Sequence, residues 1–264
     1  MNLQNPKKFK MLVDQAHEVA LHVLRPVSRK YDKAEHAYPK ELDMLASLVD
    51  GMNEGGEGMN AGAAGAGNRS ESDNEGNRNG TNMSTALSII EMCYGDTGLL
   101  LSMPRQGLGN SAIAAVANDE QLERFKGTWA AMAITESGCG SDSAAIRTTA
   151  IKDGDDYILN GEKIFVTSGE RADSVVVWAT LDKKLGRAAI KSFVVPKGTE
   201  GMKVERLEHK LGIKASDTAV ISFIDCRVPA ANLLGNAEVD VAKSFAGVME
   251  TFDNTRPLVA AMAI

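Results

Sequence analysis

The chain has 264 residues, a formal net charge of −6, a hydrophobic fraction of 44% and a charged fraction of 24%. These values are typical of a soluble globular protein with room for one large domain or two smaller ones. They argue against binding to a nucleic-acid backbone, which needs a basic surface, and no apolar run approaches the ~20 residues that cross a bilayer, so no stable membrane insertion is expected.

The first predicted elements are helices. Apolar residues recur at spacings of three and four over residues 6–32, which predicts a helix that Pro26 is expected to kink or end. A second predicted helix starts near Pro39. Its apolar face consists of Leu42, Leu45 and Leu48.

The next segment, residues 51–81, is composed mainly of glycine, asparagine and small polar residues. Such a composition cannot bury enough apolar surface to offset its ordering entropy, so it predicts a long mobile loop. An active-site lid is the competing, less supported interpretation. Helical patterns resume at residues 83–90 and 111–125.

From Trp129 onward the pattern becomes that of β-strands. Asp153-Gly154 and Asn160-Gly161 are dipeptides typical of hairpin turns, and they separate apolar or alternating runs. Short strands without helices between them predict an antiparallel β domain, a sandwich or a barrel. The further strand candidates are residues 174–181, 191–196, 202–207 and 219–229.

The predicted fold is therefore α+β and multidomain. It has an all-α amino-terminal domain over residues 1–128, an antiparallel β-barrel or sandwich middle domain over residues 129–237, and the start of an α-helical bundle over residues 238–264. The helical pattern that returns at Val239 continues into Ile264 without a cap or a polar tail, so a truncated chain is expected.

The cysteines and histidines predict neither disulfides nor a metal site. Cys93, Cys139 and Cys226 are far apart, which fits a reducing compartment, and the four histidines lack metal-ligand spacing. The first residues lack the apolar core of a secretory signal, so the expected location is the cytoplasm.

The segment AMAITESGCGSD, residues 131–142, lies at the junction of the helical and β regions. Thr135 and Ser141 offer hydroxyl groups, and Gly138 and Gly140 let a ligand approach the backbone closely. Such a loop suits an anionic or heteroaromatic ligand. It matches neither common nucleotide-binding glycine motif, and an ordinary polar turn entering a strand is the competing interpretation.

Several segments, in the same order, resemble the acyl-CoA dehydrogenase family. ITESGCGSD followed by YILNGEKIFVTSG resembles the family's TEPGAGSD-like loop and NGxKxxITNG-like hairpin, and FDNTRPLVAAMA resembles the opening of its carboxy-terminal bundle. The resemblance implies helical and β domains and a four-helix bundle that hold FAD between them. It also implies α,β-dehydrogenation of an acyl-CoA thioester to the trans-2-enoyl-CoA, as in fatty-acid β-oxidation.

The resemblance also assigns roles to individual positions. Thr135 would face the flavin ring, Ser141 the pyrophosphate and the thioester, and Phe165 stands where the family commonly has a tryptophan packed on the isoalloxazine. A plain core aromatic is the competing interpretation of Phe165. The implied cofactor-binding residues are Met132, Ile134, Thr135, Gly140, Ser141, Phe165, Val166 and Thr167.

No catalytic base is assigned within the chain. The family's usual base is a glutamate late in the bundle, expected beyond Ile264, and the minority position for it matches Thr255, which cannot act as a base. Either the chain is truncated or another subunit supplies the base. For Arg256, a solvated helix charge or an ion pair with Asp253 competes with a substrate role. The implied substrate-binding residues are Ser141, Asp253, Asn254, Thr255 and Arg256.

The resemblance implies partners as well. These are an acyl-CoA substrate, an electron-transfer flavoprotein as electron acceptor, and further copies of the protein in a homotetramer or dimer. The alternatives are an acyl-CoA oxidase or flavin monooxygenase on the same scaffold, a base-lacking partner subunit of a hetero-oligomeric dehydrogenase, and a helical–β module without flavin.

Overall fold

The computed structural model of the protein describes residues 7–54, 81–105, 107–239 and 246–264. The helices are α1 (Lys10–Val19), α2 (Arg25–Lys33), α3 (Glu41–Glu54), α4 (Thr81–Gly95), α5 (Thr97–Leu101), α6 (Leu108–Val116), α7 (Asp119–Arg124) and α8 (Ala246–Ala261). The strands are β1 (Ala130–Ala133), β2 (Thr149–Asp153), β3 (Asp156–Thr167), β4 (Ser174–Thr180), β5 (Ile190–Pro196), β6 (Met202–Leu207) and β7 (Thr218–Pro229). The fold is α+β, as predicted.

The chain forms two compact units. The first consists of Met1–Gln106, Lys210–Ser216 and Asp253–Ile264, and the second of Gly107–His209 and Asp217–Phe252. None of the helices in the described ranges has the length and apolar character needed to cross a membrane.

The first unit has a helical core in which α1 packs against α4. Pro26 does not end the predicted first helix. A π-helical segment, Ala20–Leu24, joins α1 to α2, and the Arg25 N–H donates to the Ala20 carbonyl five residues back. This wider turn lets the helix continue past a proline that lacks an N–H. The buried core residues include Ala16, Leu24, Leu42, Leu45, Ile89, Met92 and Leu99.

The predicted loop over residues 51–81 falls mostly outside the described residues. Both of its ends are helical, because α3 continues to Glu54 and α4 begins at Thr81. Leu48, which the sequence pattern places on the apolar face of α3, is 60% exposed. The prediction for residues 55–80 is not tested.

The second unit is built on a seven-stranded sheet in the order β1-β4-β2-β3-β7-β6, with β5 paired to β4. Most neighbours are antiparallel, as predicted. β4, however, is parallel to β1 over Ala130–Ala133 and parallel to β2 at one position. The sheet is therefore mixed, because the chain returns to β4 by a crossover rather than a hairpin.

One predicted hairpin is confirmed and the other is wrong. The turn at Asp153-Gly154 joins the antiparallel strands β2 and β3. Asn160 and Gly161 instead lie inside β3, beside an irregularity in its pairing with β7. The Asn160 side chain bonds to Asp225, and the Asp225 N–H donates to it in return at 2.9 Å. The dipeptide therefore accommodates a bulge and not a chain reversal.

The helix α6 packs against β1 and clusters with the sheet. The Asn110 side chain donates to the Thr128 carbonyl at 2.7 Å and accepts from the Ala130 N–H at 3.0 Å. This bridge ties α6 to the first strand. The compact second unit consequently begins at Gly107, ahead of the predicted domain boundary between residues 128 and 129.

Candidate functional site

The loop that leaves β1 folds back on itself in a tight turn. The Glu136 N–H donates to the Cys139 carbonyl at 3.0 Å, and the Cys139 N–H donates to the Glu136 carbonyl at 3.1 Å. Ile134 is buried, whereas Gly138, Gly140 and Ser141 are exposed. The loop thus presents small polar residues at the surface and is anchored at its base.

Neither exposed glycine is required by the loop's own conformation. Gly138 and Gly140 lack a positive φ. A Cβ added at Gly138 would meet nothing within 4 Å, and one at Gly140 would meet only the Thr135 methyl group at 3.9 Å. The absence of side chains leaves space that the described residues do not fill, so a ligand has room to approach the backbone here.

The loop is tied to strand β3 by its backbone. The Ile164 N–H donates to the Thr135 carbonyl at 2.9 Å. Thr135 is half-buried, and Phe165 directly follows Ile164, the partner of Thr135 in this bond. Two of the predicted cofactor-binding segments are therefore brought together.

Phe165 is not a core aromatic, since it is 61% exposed. Between Lys163 and Val166, β3 contains one residue more than the facing segment of β7, and Phe165 has a φ of +57°. In a regular strand the side chains of residues 163 and 165 would point to the same face. The bulge breaks this alternation, so Lys163 is buried and Phe165 points outward.

The other predicted cofactor-binding residues differ in what they can offer. Val166 and Ile134 have side chains in the hydrophobic core, so a ligand could reach them only through the backbone. Met132 packs partly against the same core as Ile134, and Thr167 is half-buried at the end of β3. Thr135, Gly140, Ser141 and Phe165 are the predicted positions whose side chains or open space face outward.

Residues 131–226 match the family model for the acyl-CoA dehydrogenase middle domain. The acryloyl-CoA reductase (NADH) of Anaerotignum propionicum is 33% identical over 100% of this chain and 64% of its own length. The mitochondrial short-chain specific acyl-CoA dehydrogenase of Rattus norvegicus is 30% identical over 100% of this chain and 61% of its own length. The structure of butyryl-CoA dehydrogenase from Megasphaera elsdenii is 29% identical and matches with a TM-score of 0.77 over 100% of this chain and 66% of that one.

The chain belongs to the acyl-CoA dehydrogenase family. It spans less than two thirds of the length of the two curated relatives. Its similarity to these relatives extends along the whole of its sequence, so it includes the 134–142 loop and strand β3.

Sequence reasoning missed two residues of the site in this family member, Glu136 and Lys163. The Lys163 ammonium, fully buried, donates to the Glu136 carboxylate at 2.8 Å and to the Ile134 carbonyl at 3.1 Å. A lysine two positions before Phe165 was the available signal, but a lysine in a strand is more often solvated.

The charge state of this pair follows from its surroundings. Burial alone would raise the pKa of the Glu136 carboxyl, but the Lys163 charge and the hydrogen bonds from Lys163, Thr148 and the Arg147 N–H outweigh it, so that pKa lies below its usual value. Burial lowers the pKa of the Lys163 ammonium. The carboxylate is therefore held ionised beneath the loop, and its lowered pKa makes it a weak base.

Cys139 is held in the thiol form. Burial and the nearby Glu136 carboxylate raise the pKa of its thiol. A thiol whose pKa is raised supplies little thiolate, so a role as a small packed residue fits better than a role as a redox thiol.

The predicted substrate-binding residues 253–256 lie on α8, in the first compact unit. Asp253 and Arg256 are exposed, and Thr255 is 1% exposed. The side chain of Asn254 lies outside the described part of the chain. The helix α8 continues through Pro257.

Proposed function

We propose that this protein is an FAD-dependent acyl-CoA dehydrogenase that converts an acyl-CoA thioester to the trans-2-enoyl-CoA. One observation carries the proposal. A glycine-containing loop with unfilled space at Gly138 and Gly140 is hydrogen-bonded to the strand that presents Phe165 to solvent. An apolar ring beside a few fixed polar groups is the combination that a flavin site requires.

The residues of the second unit fit the cofactor in distinct ways. Phe165 would offer an aromatic face to the isoalloxazine ring, and Thr135 would offer its hydroxyl to the flavin. Gly140 and Ser141 leave backbone N–H groups and a hydroxyl for the pyrophosphate. Bound FAD supplies the acceptor for the β-hydrogen of the substrate, which leaves as a hydride.

The substrate and partners follow from the family. We propose an acyl-CoA thioester bound with Ser141 and residues 253–256, and an electron-transfer flavoprotein that removes the electrons. The base is proposed to be a glutamate beyond Ile264, since Thr255 has no proton-accepting carboxylate and Glu136 is paired with Lys163. We also propose that the protein forms a homotetramer or dimer, lies in the cytoplasm and acts in fatty-acid β-oxidation.

The finer architecture is also proposed from the family. The domains would be a helical one over residues 1–128, a β-barrel or sandwich over residues 129–237, and the beginning of a helical bundle over residues 238–264. On this proposal α8 is the first helix of that bundle.

The test is a purification of the full-length protein, followed by an anaerobic titration with acyl-CoA thioesters of increasing chain length. We expect a yellow protein from which FAD is released on denaturation. A suitable acyl-CoA should bleach the visible flavin band, because the reduced flavin lacks it.

Two further outcomes separate the alternatives. Fast reoxidation of the reduced protein by air would favour an oxidase or monooxygenase, whereas slow reoxidation by air and fast reoxidation by an electron-transfer flavoprotein would support a dehydrogenase. A colourless preparation that takes up no added FAD would overturn the proposal.

A further inference from the structure

A buried ion pair lies directly beneath the loop of residues 134–142. Lys163 is 0% exposed and Glu136 is 9% exposed, and their charged atoms are 2.8 Å apart. Lysine and glutamate are almost never fully buried, because removing each charge from water costs several kcal/mol. Since apolar side chains of similar volume often stabilise such a position as well or better, fold stability is a poor reason for this pair.

The pair connects three separate segments of the second unit. The Glu136 carboxylate accepts hydrogen bonds from the Thr148 N–H at 2.9 Å, from the Thr148 hydroxyl at 2.6 Å and from the Arg147 N–H at 2.7 Å. The Lys163 ammonium reaches the Ile134 carbonyl in addition to Glu136. The loop, the residues before β2 and the middle of β3 are thus fixed to one another by charged hydrogen bonds, which are directional.

Each member of the ion pair lies next to a proposed flavin contact in the sequence. Glu136 directly follows Thr135, and Lys163 is two residues before Phe165. Both neighbours are proposed flavin contacts, and the bulge that turns Phe165 outward begins at Lys163. Both charged groups are themselves buried below the surface that the loop presents, so they act through the loop and not on a ligand.

We infer that Glu136 and Lys163 are positioning residues, whose ion pair fixes the loop at Thr135 and the bulge at Phe165 in the spacing that binds the flavin. The inference rests on the proposed function. On this inference the ion pair selects one conformation of the loop and contributes little to the net free energy of folding.

The decisive variant removes both charges and keeps the shapes. In the Lys163→Met/Glu136→Gln double variant, the single glutamine oxygen still accepts from the Thr148 N–H and hydroxyl, the bond from the Arg147 N–H is lost together with the ion pair, and no unpaired charge remains buried. We expect a melting temperature close to that of the wild type, and an FAD dissociation constant raised by about tenfold or more. The visible spectrum of the bound flavin should also change, which a role in stability alone would not produce.

A matched control separates loop positioning from general destabilisation. Val228 in β7 is fully buried and is not in the loop or in β3. Val228→Ala is expected to lower the melting temperature through a core cavity and to leave the FAD dissociation constant and the flavin spectrum unchanged.

The outcomes are distinguishable. A folded double variant with the FAD affinity and flavin spectrum of the wild type would overturn the inference, while a wild type that binds no FAD would overturn the proposed function itself. If the double variant does not fold, the Thr148→Val variant tests the inference instead, because it removes only the hydrogen bond from the Thr148 hydroxyl to Glu136. A raised FAD dissociation constant in that variant supports the inference, and an unchanged one overturns it.

Discussion

Two glycines in the second unit, Gly161 and Gly140, are small for different reasons. At Gly161 the chain itself needs the residue, because φ is +155° and a Cβ would lie 2.4 Å from the Thr148 hydroxyl oxygen. At Gly140 the chain leaves room for a methyl group. The small residue at Gly161 is therefore required by packing, whereas Gly140 has room for a methyl group and is small, on the proposed function, because a ligand approaches it.

This contrast predicts different effects of the same substitution. Gly140→Ala should change the free energy of unfolding by less than about 0.5 kcal/mol and should weaken FAD binding, because the added methyl group occupies the ligand's space. Gly161→Ala should lose about 2 kcal/mol or more through strain and overlap. Urea denaturation and fluorescence titration with FAD measure the two quantities.

The prediction for Gly140 has a clear contrary result. If Gly140→Ala bound FAD as tightly as the wild type, the open space at this position would have another cause. If it unfolded as readily as Gly161→Ala, the loop would be packed more tightly than its 3.9 Å contact indicates.

At the scale of single residues, the sequence predicted site residues that lie at the protein surface, but not the ion pair beneath them. Thr135, Gly140, Ser141 and Phe165 were identified from the resemblance. Glu136 and Lys163 are separated by 27 positions, and only the folded chain brings them within hydrogen-bonding distance. No spacing rule for helices or strands connects two such positions.

Strand β3 is the element that organises the site. Its bulge changes the direction of successive side chains, so one strand supplies both the buried Lys163 and the exposed Phe165. A regular strand would place both side chains on one face.

The exposure of Phe165 predicts a loss of binding with little loss of stability. Phe165→Ala should change the free energy of unfolding by less than about 1 kcal/mol, since little buried surface is lost. The FAD dissociation constant should rise by about tenfold, because one aromatic contact is removed. Phe165→Trp, which keeps a flat apolar ring, should retain FAD binding. Titration of the wild-type, Phe165→Ala and Phe165→Trp apoproteins with FAD measures the three dissociation constants.

Phe193 provides the matched comparison. It is fully buried in the core of the second unit, beside Tyr157. Phe193→Ala should cost about 3–5 kcal/mol of stability. Wild-type FAD affinity in Phe165→Ala would contradict a flavin-stacking role.

Most helices and strands were predictable from local sequence patterns. Where a prediction differed from the structure, tertiary contacts had overridden the local preference of the residues. The predicted strands at residues 191–196 and 202–207 correspond to β5 and β6. Asn160-Gly161 has the sequence of a turn, but the pairing of β3 with β7 continues across it. Pro26 was expected to kink or end the first helix, and the helix continues past it through an irregular, π-helical segment.

At the scale of the whole chain, the order of helical, β and helical regions was predictable, whereas strand pairing was not. The parallel pairing of β1 with β4 joins Ala130–Ala133 to a strand more than forty positions away in the numbering. Periodicity reports which face of a strand is buried but not which strand is its neighbour. The contacts of α6 with β1 are unpredictable for the same reason.

The buried pair also links the stability of the molecule to pH. The pKa of Glu136 is lowered in the folded chain from an ordinary value of 4.5. A carboxyl with a depressed folded pKa contributes stability that is present above its unfolded pKa and lost as the pH falls through its folded pKa. As the pH falls below the ordinary carboxyl value of 4.5, the free energy of unfolding of the wild type should therefore fall more steeply than that of the Lys163→Met/Glu136→Gln variant, which has no such carboxyl.

Urea denaturation at a series of pH values measures this difference directly. Other carboxyls also titrate in the acid range; the pKa of Glu41, for example, is held at about 2 by hydrogen bonds from Tyr31 and Lys30. These groups are common to both proteins, so they cancel in the comparison. Equal slopes would mean that Glu136 contributes nothing to the acid sensitivity, and the loss would then belong to surface carboxyls such as Glu41. A steeper slope in the wild type would show that protonating one buried carboxylate, which leaves the Lys163 ammonium unpaired, weakens the whole molecule.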